Sequence, residues 1–284
     1  MIELVKNIKK ITGNTPLVKI SDRLYGKLET YNPSGSVKDR FVVYAVESAI
    51  GSNDINKDTT LIEATSGNTG ISLSMVGAAL GLPVKIIMPS NMSEERKQMM
   101  KRFGAEIIEC DASDFNQAID IRNNMLNSSE DFWSPMQFSN LENIRCHFLT
   151  TAHEIHQQIG PSWECFIHGA GTGGTIMGVS RYVESLGLDV SIGLVLPAED
   201  DHGIQGIGDG EDFLVNRKCI DFTESVQTDH AIKRSKQLAS DTGLMVGISS
   251  GANIIASEAW LCQNPNGGDV VTILCDRGER YLSI

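Results

Sequence analysis

The sequence predicts an α/β fold built as two three-layer αβα domains with largely parallel sheets. Three observations carry this. Short apolar runs alternate with amphipathic stretches of helical period along most of the chain. Glycine-rich turns repeatedly join a strand to a helix, as in parallel sheets covered by helices. The 284 residues, 41% hydrophobic and 21% charged, suffice for a sizeable core in one large or two modest domains.

The elements follow in order. Residues 59–63 read as a strand, 69–80 as a helix, and 84–88 as a strand stopped by Pro89. Residues 93–102 read as a helix, with Ser93 at the N-cap, Glu94 and Glu95 in the first turn, Lys101 and Arg102 in the last, and Gly104 beyond. A strand at 106–109 and a helix at 115–126 come next. The second half repeats the theme: strand 164–169, helix 174–185, strand 191–196, helix 228–240, strand 270–275. A boundary falls near Asn140 to Arg145, giving domains of 1–143 and 144–284.

The formal net charge is −12, which leaves no electrostatic footprint for nucleic acid or an anionic membrane. No apolar run approaches the ~20 residues that span a bilayer, and the first residues lack a signal-peptide core. Six cysteines are scattered without C-x-x-C spacing, so reduced and mostly buried thiols in a cytoplasmic protein are expected. His153 and His156 share a helical face but have no evident third partner, so no metal is expected.

Several turns can carry chemistry. Gly169-Ala170-Gly171-Thr172-Gly173-Gly174-Thr175 follows an apolar strand and opens a helix. Its glycines let backbone N–H groups converge, the helix adds its positive end, and two threonines add hydroxyls: a phosphate cradle without a lysine. A tight packing turn is the weaker alternative, because four glycines fall within six residues. Thr65-Ser66-Gly67-Asn68-Thr69-Gly70 crowds small polar residues at a helix start, which suits a carboxylate held by N–H groups and hydroxyls with no formal positive charge. Helix capping needs only one such residue. Gly247-Ile248-Ser249-Ser250-Gly251-Ala252 also opens a helix, and in isolation its serines read as caps. Lys38 sits in the first turn of a helix that begins at Val37, where a cation opposes the dipole; alone, it reads as a solvated charge.

Together with Thr12-Gly13-Asn14-Thr15-Pro16-Leu17, Met136-Gln137-Phe138-Ser139-Asn140, Gln205-Gly206-Ile207-Gly208 and Asp276-Arg277-Gly278-Glu279-Arg280-Tyr281, these segments resemble the cysteine synthase (O-acetylserine sulfhydrylase) family. That family lies within the fold-type II, tryptophan synthase β-like enzymes that use pyridoxal 5'-phosphate. Met88-Pro89-Ser90-Asn91-Met92-Ser93 and Cys275-Asp276-Arg277-Gly278 are closer to its B isoform.

The resemblance implies that Lys38 carries the cofactor as a Schiff base. Gly171, Thr172, Gly173, Gly174 and Thr175 would hold its phosphate, Asn68 its ring hydroxyl, and Ser249 would face its ring nitrogen. It implies that Thr65, Ser66, Gly67, Asn68, Thr69 and Gln137 grip the substrate carboxylate, and that Gly206 lines the pocket. It places Cys275 near the ring as well, though a buried strand-end cysteine is at least as good a reading. Residues 1–34 would pack partly on the other domain, and about 89–127 would form a mobile lid.

The implied reaction is β-replacement: O-acetyl-L-serine and sulfide giving L-cysteine and acetate through an aminoacrylate. Cystathionine β-synthase-like condensation, cysteine desulfhydration, β-replacement by a nitrogen nucleophile, and a non-catalytic binding homologue are the alternatives. The stretch 197–203 is acidic where the B isoform usually carries a basic residue, which counts against thiosulfate. A homodimer is expected; nothing in the sequence calls for a serine acetyltransferase partner.

Overall fold

The computed structural model of the chain describes residues 1–65, 67–208 and 213–283. In chain order its elements begin with α1 (Ile2–Lys10), β1 (Leu17–Ser21), β2 (Leu24–Leu28), α2 (Lys38–Gly51), β3 (Thr60–Ala64) and α3 (Asn68–Leu80). Then come β4 (Val84–Pro89), α4 (Glu94–Arg102), β5 (Glu106–Cys110), α5 (Phe115–Ser128) and β6 (Phe132–Trp133). The rest are α6 (Glu142–His147), α7 (His153–Ile159), β7 (Trp163–Gly169), α8 (Gly174–Ser185), β8 (Ser191–Pro197), β9 (Phe222–Val226), α9 (Thr228–Thr242), α10 (Ile248–Gln263) and β10 (Asp269–Leu274).

The chain divides into two compact units. The first comprises Met1–Thr12, Asn32–Asn140 and Arg280–Ile284; the second comprises Gly13–Tyr31 and Leu141–Glu279.

The first unit holds a four-stranded sheet ordered β5-β4-β3-β6, parallel throughout. Alternation along the strands sends successive side chains to opposite faces. Ile62, Ala64 and Ile87 face α5, where they pack with Ala118, Phe115 and Ile119. Leu61 and Ile86 face α3, which approaches so closely that a methyl group on Gly70 would stand 3.2 Å from Ile86 and one on Gly77 would strike Val84. Helices therefore cover both faces of this sheet.

The second unit holds a six-stranded sheet ordered β1-β2-β10-β7-β8-β9. All neighbours run parallel except the β1–β2 pair, which is an antiparallel hairpin. Helices α8 and α10 pack on its strands. A buried ion pair ties the segment before β1 to α7. Lys27 reaches Glu154 at 2.7 Å, the Thr15 carbonyl at 2.6 Å and Gln158 at 2.9 Å, and Glu154 accepts the Asn14 N–H at 3.0 Å.

The predicted strands and helices appear within two residues of their expected ends. The helix carrying Lys38 starts at Lys38 rather than Val37, because Val37 is the N-cap; Ser36 Oγ still accepts the Lys38 N–H at 3.3 Å. Ser93 is the N-cap of α4, but its hydroxyl makes no capping hydrogen bond. The helix expected at 151–159 begins at His153, because Thr151 and Ala152 belong to a π-helical stretch, Phe148–Ala152.

Candidate active site

The first unit contributes Lys38 and the 65–69 turn. The first turn of α2 lies against α3, with Asp39 fully buried beside Ser72. Asp39 accepts the Ser34 N–H at 2.6 Å and the Ser34 hydroxyl, and the Arg280 guanidinium donates to the Ser34 carbonyl. Burial pushes the Asp39 carboxyl upward, while the Ser34 and Ser72 hydroxyls and the Arg280 charge oppose that rise. The turn that delivers Lys38 is thus fastened on two sides, and Lys38 itself is half-buried.

The β3–α3 turn is held from behind. Thr69 Oγ1 donates to Gln137 Oε1 at 2.6 Å, and Gln137 Nε2 donates to the Ala64 carbonyl at 3.4 Å. The Gln137 N–H reaches Glu63 at 3.2 Å, and Glu63 pairs with Arg122 at 2.8 Å, both side chains buried. Burial drives the Glu63 carboxyl upward; Arg122 is the main opposing influence. Thr65 Oγ1 accepts the Gly67 N–H at 3.2 Å. Thr65, Gly67, Asn68, Thr69 and Gln137 are therefore brought together, while Ser66 lies outside the described residues.

The second unit contributes the cradle. Gly171 through Thr175 run from β7 into the first turn of α8. Thr172 Oγ1 accepts from Asn143 Nδ2 at 3.0 Å and from the Gly174 N–H at 3.3 Å, so its own proton is left to donate. Thr175 Oγ1 lies 3.2 Å from His147 Nε2, and His147 Nδ1 lies 2.8 Å from Thr151 Oγ1. With hydrogen on Nε2, this relay also leaves the Thr175 hydroxyl proton to donate. Gly173 has φ +90°, where a side chain is strained, and a methyl group there would stand 2.9 Å from the Val215 backbone nitrogen. A methyl group on Gly174 would strike Asn143.

Gly206, at φ +89°, belongs to a loop laid on the cradle: Gly208 N–H donates to the Ala170 carbonyl at 2.9 Å. Ser249 is buried in the first turn of α10. Its neighbour Ser250 accepts the Cys275 N–H at 2.9 Å, and Cys275 Sγ lies 3.6 Å from Asn253 Nδ2 and from the Ile273 carbonyl. Asn253 also receives the Gly169 N–H at 2.8 Å and donates to Ile273 at 2.9 Å, bracing the start of the cradle.

The donor set fits pyridoxal phosphate. Buried neutral hydroxyls and a helix N-terminus converge without a lysine, as a phosphate ester requires, and a lysine stands at a helix start next to a polar turn. The comparisons with known proteins agree. Residues 8–276 match the family model described as pyridoxal-phosphate dependent enzyme. The chain belongs to that family.

Within the family it is 38% identical to cysteine synthase B of Campylobacter jejuni over 294 residues, covering 98% of this chain and 97% of that one. Among solved structures of fold-type II members, a hydrogen sulfide-producing enzyme of Fusobacterium nucleatum superposes with a TM-score of 0.91 at 34% identity, covering 97% of this chain and 99% of that one. An O-acetylserine dependent cystathionine β-synthase of Helicobacter pylori does so with a TM-score of 0.90 at 32% identity, covering 98% and 97%. The protein is accordingly a pyridoxal-phosphate dependent enzyme, and its sheets are those of fold-type II.

Sequence reading missed the supports Asn143, His147, Asn253 and Arg122. They lie far along the chain from what they hold, and no local pattern marks them. The stretch 197–203 reads as acidic, but a cavity of about 410 Å³ beside Ala170 and Gly208 is lined by Arg217 as well as Glu199, Asp200 and His202. Its charge is therefore mixed. His153 and His156 both turn to the Tyr182 hydroxyl, at 3.4 and 3.1 Å. Among the described residues, no group of three His, Cys, Asp or Glu side chains is placed to hold a metal, and no helix is long and apolar enough to cross a membrane.

Proposed function

We propose that the enzyme performs β-replacement on an activated serine, converting O-acetyl-L-serine and sulfide to L-cysteine and acetate. The observation that carries this reading lies within the first unit: the start of α2, with Lys38, is joined through buried Asp39 to Ser72 of α3, the helix that Asn68 and Thr69 open. A lysine reserved for an amine-exchanging cofactor beside a carboxylate-binding turn selects an α-amino acid.

Bound pyridoxal phosphate supplies an electron sink for carbanion chemistry at the substrate. Gly171 through Thr175 would hold its phosphate, and Asn68 and Ser249 its ring. Thr65, Ser66, Gly67, Asn68, Thr69 and Gln137 would hold the substrate α-carboxylate, and Gly206 would line the pocket. Lys38 would take the proton from the substrate Cα. Ser249, a hydroxyl rather than a carboxylate, would give the ring nitrogen no fixed negative partner. This favours loss of a leaving group from Cβ over transamination. The segment of about 89–127 closes on the carboxylate turn and keeps water from the reacting carbon. The enzyme acts in the cytoplasm as a homodimer.

Mixing the holoenzyme with O-acetylserine tests this. A shift of the cofactor's visible absorption, reversed by sulfide with release of cysteine, is expected; Lys38→Ala abolishes turnover. No spectral change with O-acetylserine would refute the reading. Cystathionine from added homocysteine, at a higher rate than cysteine from sulfide, would move the assignment toward the activity named for the Helicobacter relative.

A further inference from the structure

The carboxylate turn carries no formal positive charge of its own: Thr65, Gly67, Asn68 and Thr69 are all neutral. The structure places one behind it. Arg96, on α4, is 3% exposed, and a methyl group built on Gly67 would stand 3.1 Å from its Cζ and Nε atoms. The guanidinium therefore lies against Gly67. One helical turn later, Met100 meets Gly70 in the same way, with its Cε 2.8 Å from a methyl group built there. The two glycines, three residues apart on the start of α3, thus accept two side chains four apart on α4.

Gly67 needs no special backbone freedom, since its φ of −178° is extended. A side chain at this position would have to move Arg96 by a few tenths of an ångström. The guanidinium is gripped from its other side by Tyr281, whose ring centroid is 5.0 Å from Cζ. The Ser283 hydroxyl holds Glu95, the residue before Arg96.

We propose that Arg96 is a specificity-determining positioning residue: from behind Gly67 it supplies the positive charge that makes the 65–69 turn select a carboxylate over a neutral group. This rests on reading that turn as the carboxylate site. A guanidinium keeps its charge when buried, and that charge, which the adjacent Glu95 also feels, acts on an anion held at the turn. Neutral donors in the turn fix the direction of the carboxylate; Arg96 sets the energy difference between charged and uncharged ligands. Lysine would keep the charge but lose the stacking between Gly67 and Tyr281.

The test compares two ligands that differ only at this group, L-serine and L-serinamide, on the holoenzyme. Their dissociation constants are read from the change each produces in the cofactor's visible absorption. Wild type should prefer the acid. Arg96→Gln should cut the acid-over-amide preference at least about tenfold by weakening only the acid, and Arg96→Lys should retain most of it.

Equal weakening of both ligands in Arg96→Gln would reduce Arg96 to a structural residue and overturn the proposal, as would an unchanged preference. A wild-type enzyme indifferent to the two ligands would instead remove the carboxylate reading of the turn, and the inference with it. Should Arg96→Gln fail to fold, Arg96→Met, which keeps an unbranched side chain and removes the charge, decides the same point and must lower the preference in the same direction.

Discussion

The cradle at 171–175 and the turn at 65–69, the two proposed anion sites, each open a helix, but they are supported by different physics. The cradle rests on neutral groups. Asn143 and His147 orient its two threonine hydroxyls, and positive φ makes glycine obligatory at 173. The 65–69 turn rests on ions. The Glu63–Arg122 pair fixes Gln137, and Arg96 lies behind Gly67. A phosphate ester carries enough charge and enough oxygens to be held by converging dipoles alone. A carboxylate has one charge and two oxygens, so its recognition gains more from a full charge nearby. Rigid backbone therefore matters most in the cradle, and buried electrostatics in the turn.

The contrast is broken most severely at Arg122. Removing it in Arg122→Ala strands Glu63 in a fully buried position, which costs about 3–5 kcal/mol of stability. Burial already raises the Glu63 carboxyl above its ordinary value of 4.5, and without Arg122 it rises further. A carboxyl with a raised folded-state value binds its proton more tightly folded than unfolded. The Glu63 contribution to the variant's stability is therefore fully present below about 4.5 and is lost as the pH rises through the raised value. Urea unfolding at pH 5 and pH 8 checks this: the deficit against wild type must be larger at pH 8. A deficit independent of pH would mean that the pair acts by packing alone.

Next in size is Gly173→Ala. Here the backbone, not charge, is the issue: φ +90° strains any Cβ, and the new methyl group meets the Val215 backbone, which cannot swing away as a side chain does. Strain of about 1–3 kcal/mol together with that contact should weaken pyridoxal phosphate about a hundredfold. Titrating the cofactor into the apo-protein by absorbance measures it. Retention within threefold of wild type would show that the cradle tolerates movement and would erase its contrast with Gly67, where extended φ leaves only a flexible arginine to displace.

These supports explain what is legible in the sequence. Strand–helix alternation discloses the parallel sheets because burial on both faces leaves short apolar runs. The glycine cluster discloses the cradle because the backbone conformation is written in its own residues. The β1–β2 hairpin, β9 and the two-residue β6 escape because short strands carry little periodic signal. Arg96, Arg122 and Asn143 escape for another reason. Each acts on a turn 29 to 59 residues away in sequence, and a lone arginine or asparagine on a helix ordinarily reads as solvated surface. Lys38 lies between these cases: its helix start is visible, but the Asp39 and Arg280 contacts that fasten it are not.

The smallest expected effect falls on the neutral side. Asn143→Ala removes one uncharged hydrogen bond to Thr172, so cofactor affinity should fall only about three- to tenfold, equally at pH 6 and pH 8. The same side chain is what a methyl group on Gly174 would strike. Gly174→Ala should therefore be damaging in wild type and much milder when combined with Asn143→Ala, because the second change clears the space the first one needs. The non-additivity is the diagnostic quantity. If the two losses simply add, Gly174 is glycine for contact with the phosphate itself, and the cradle's shape is dictated by its ligand rather than by Asn143.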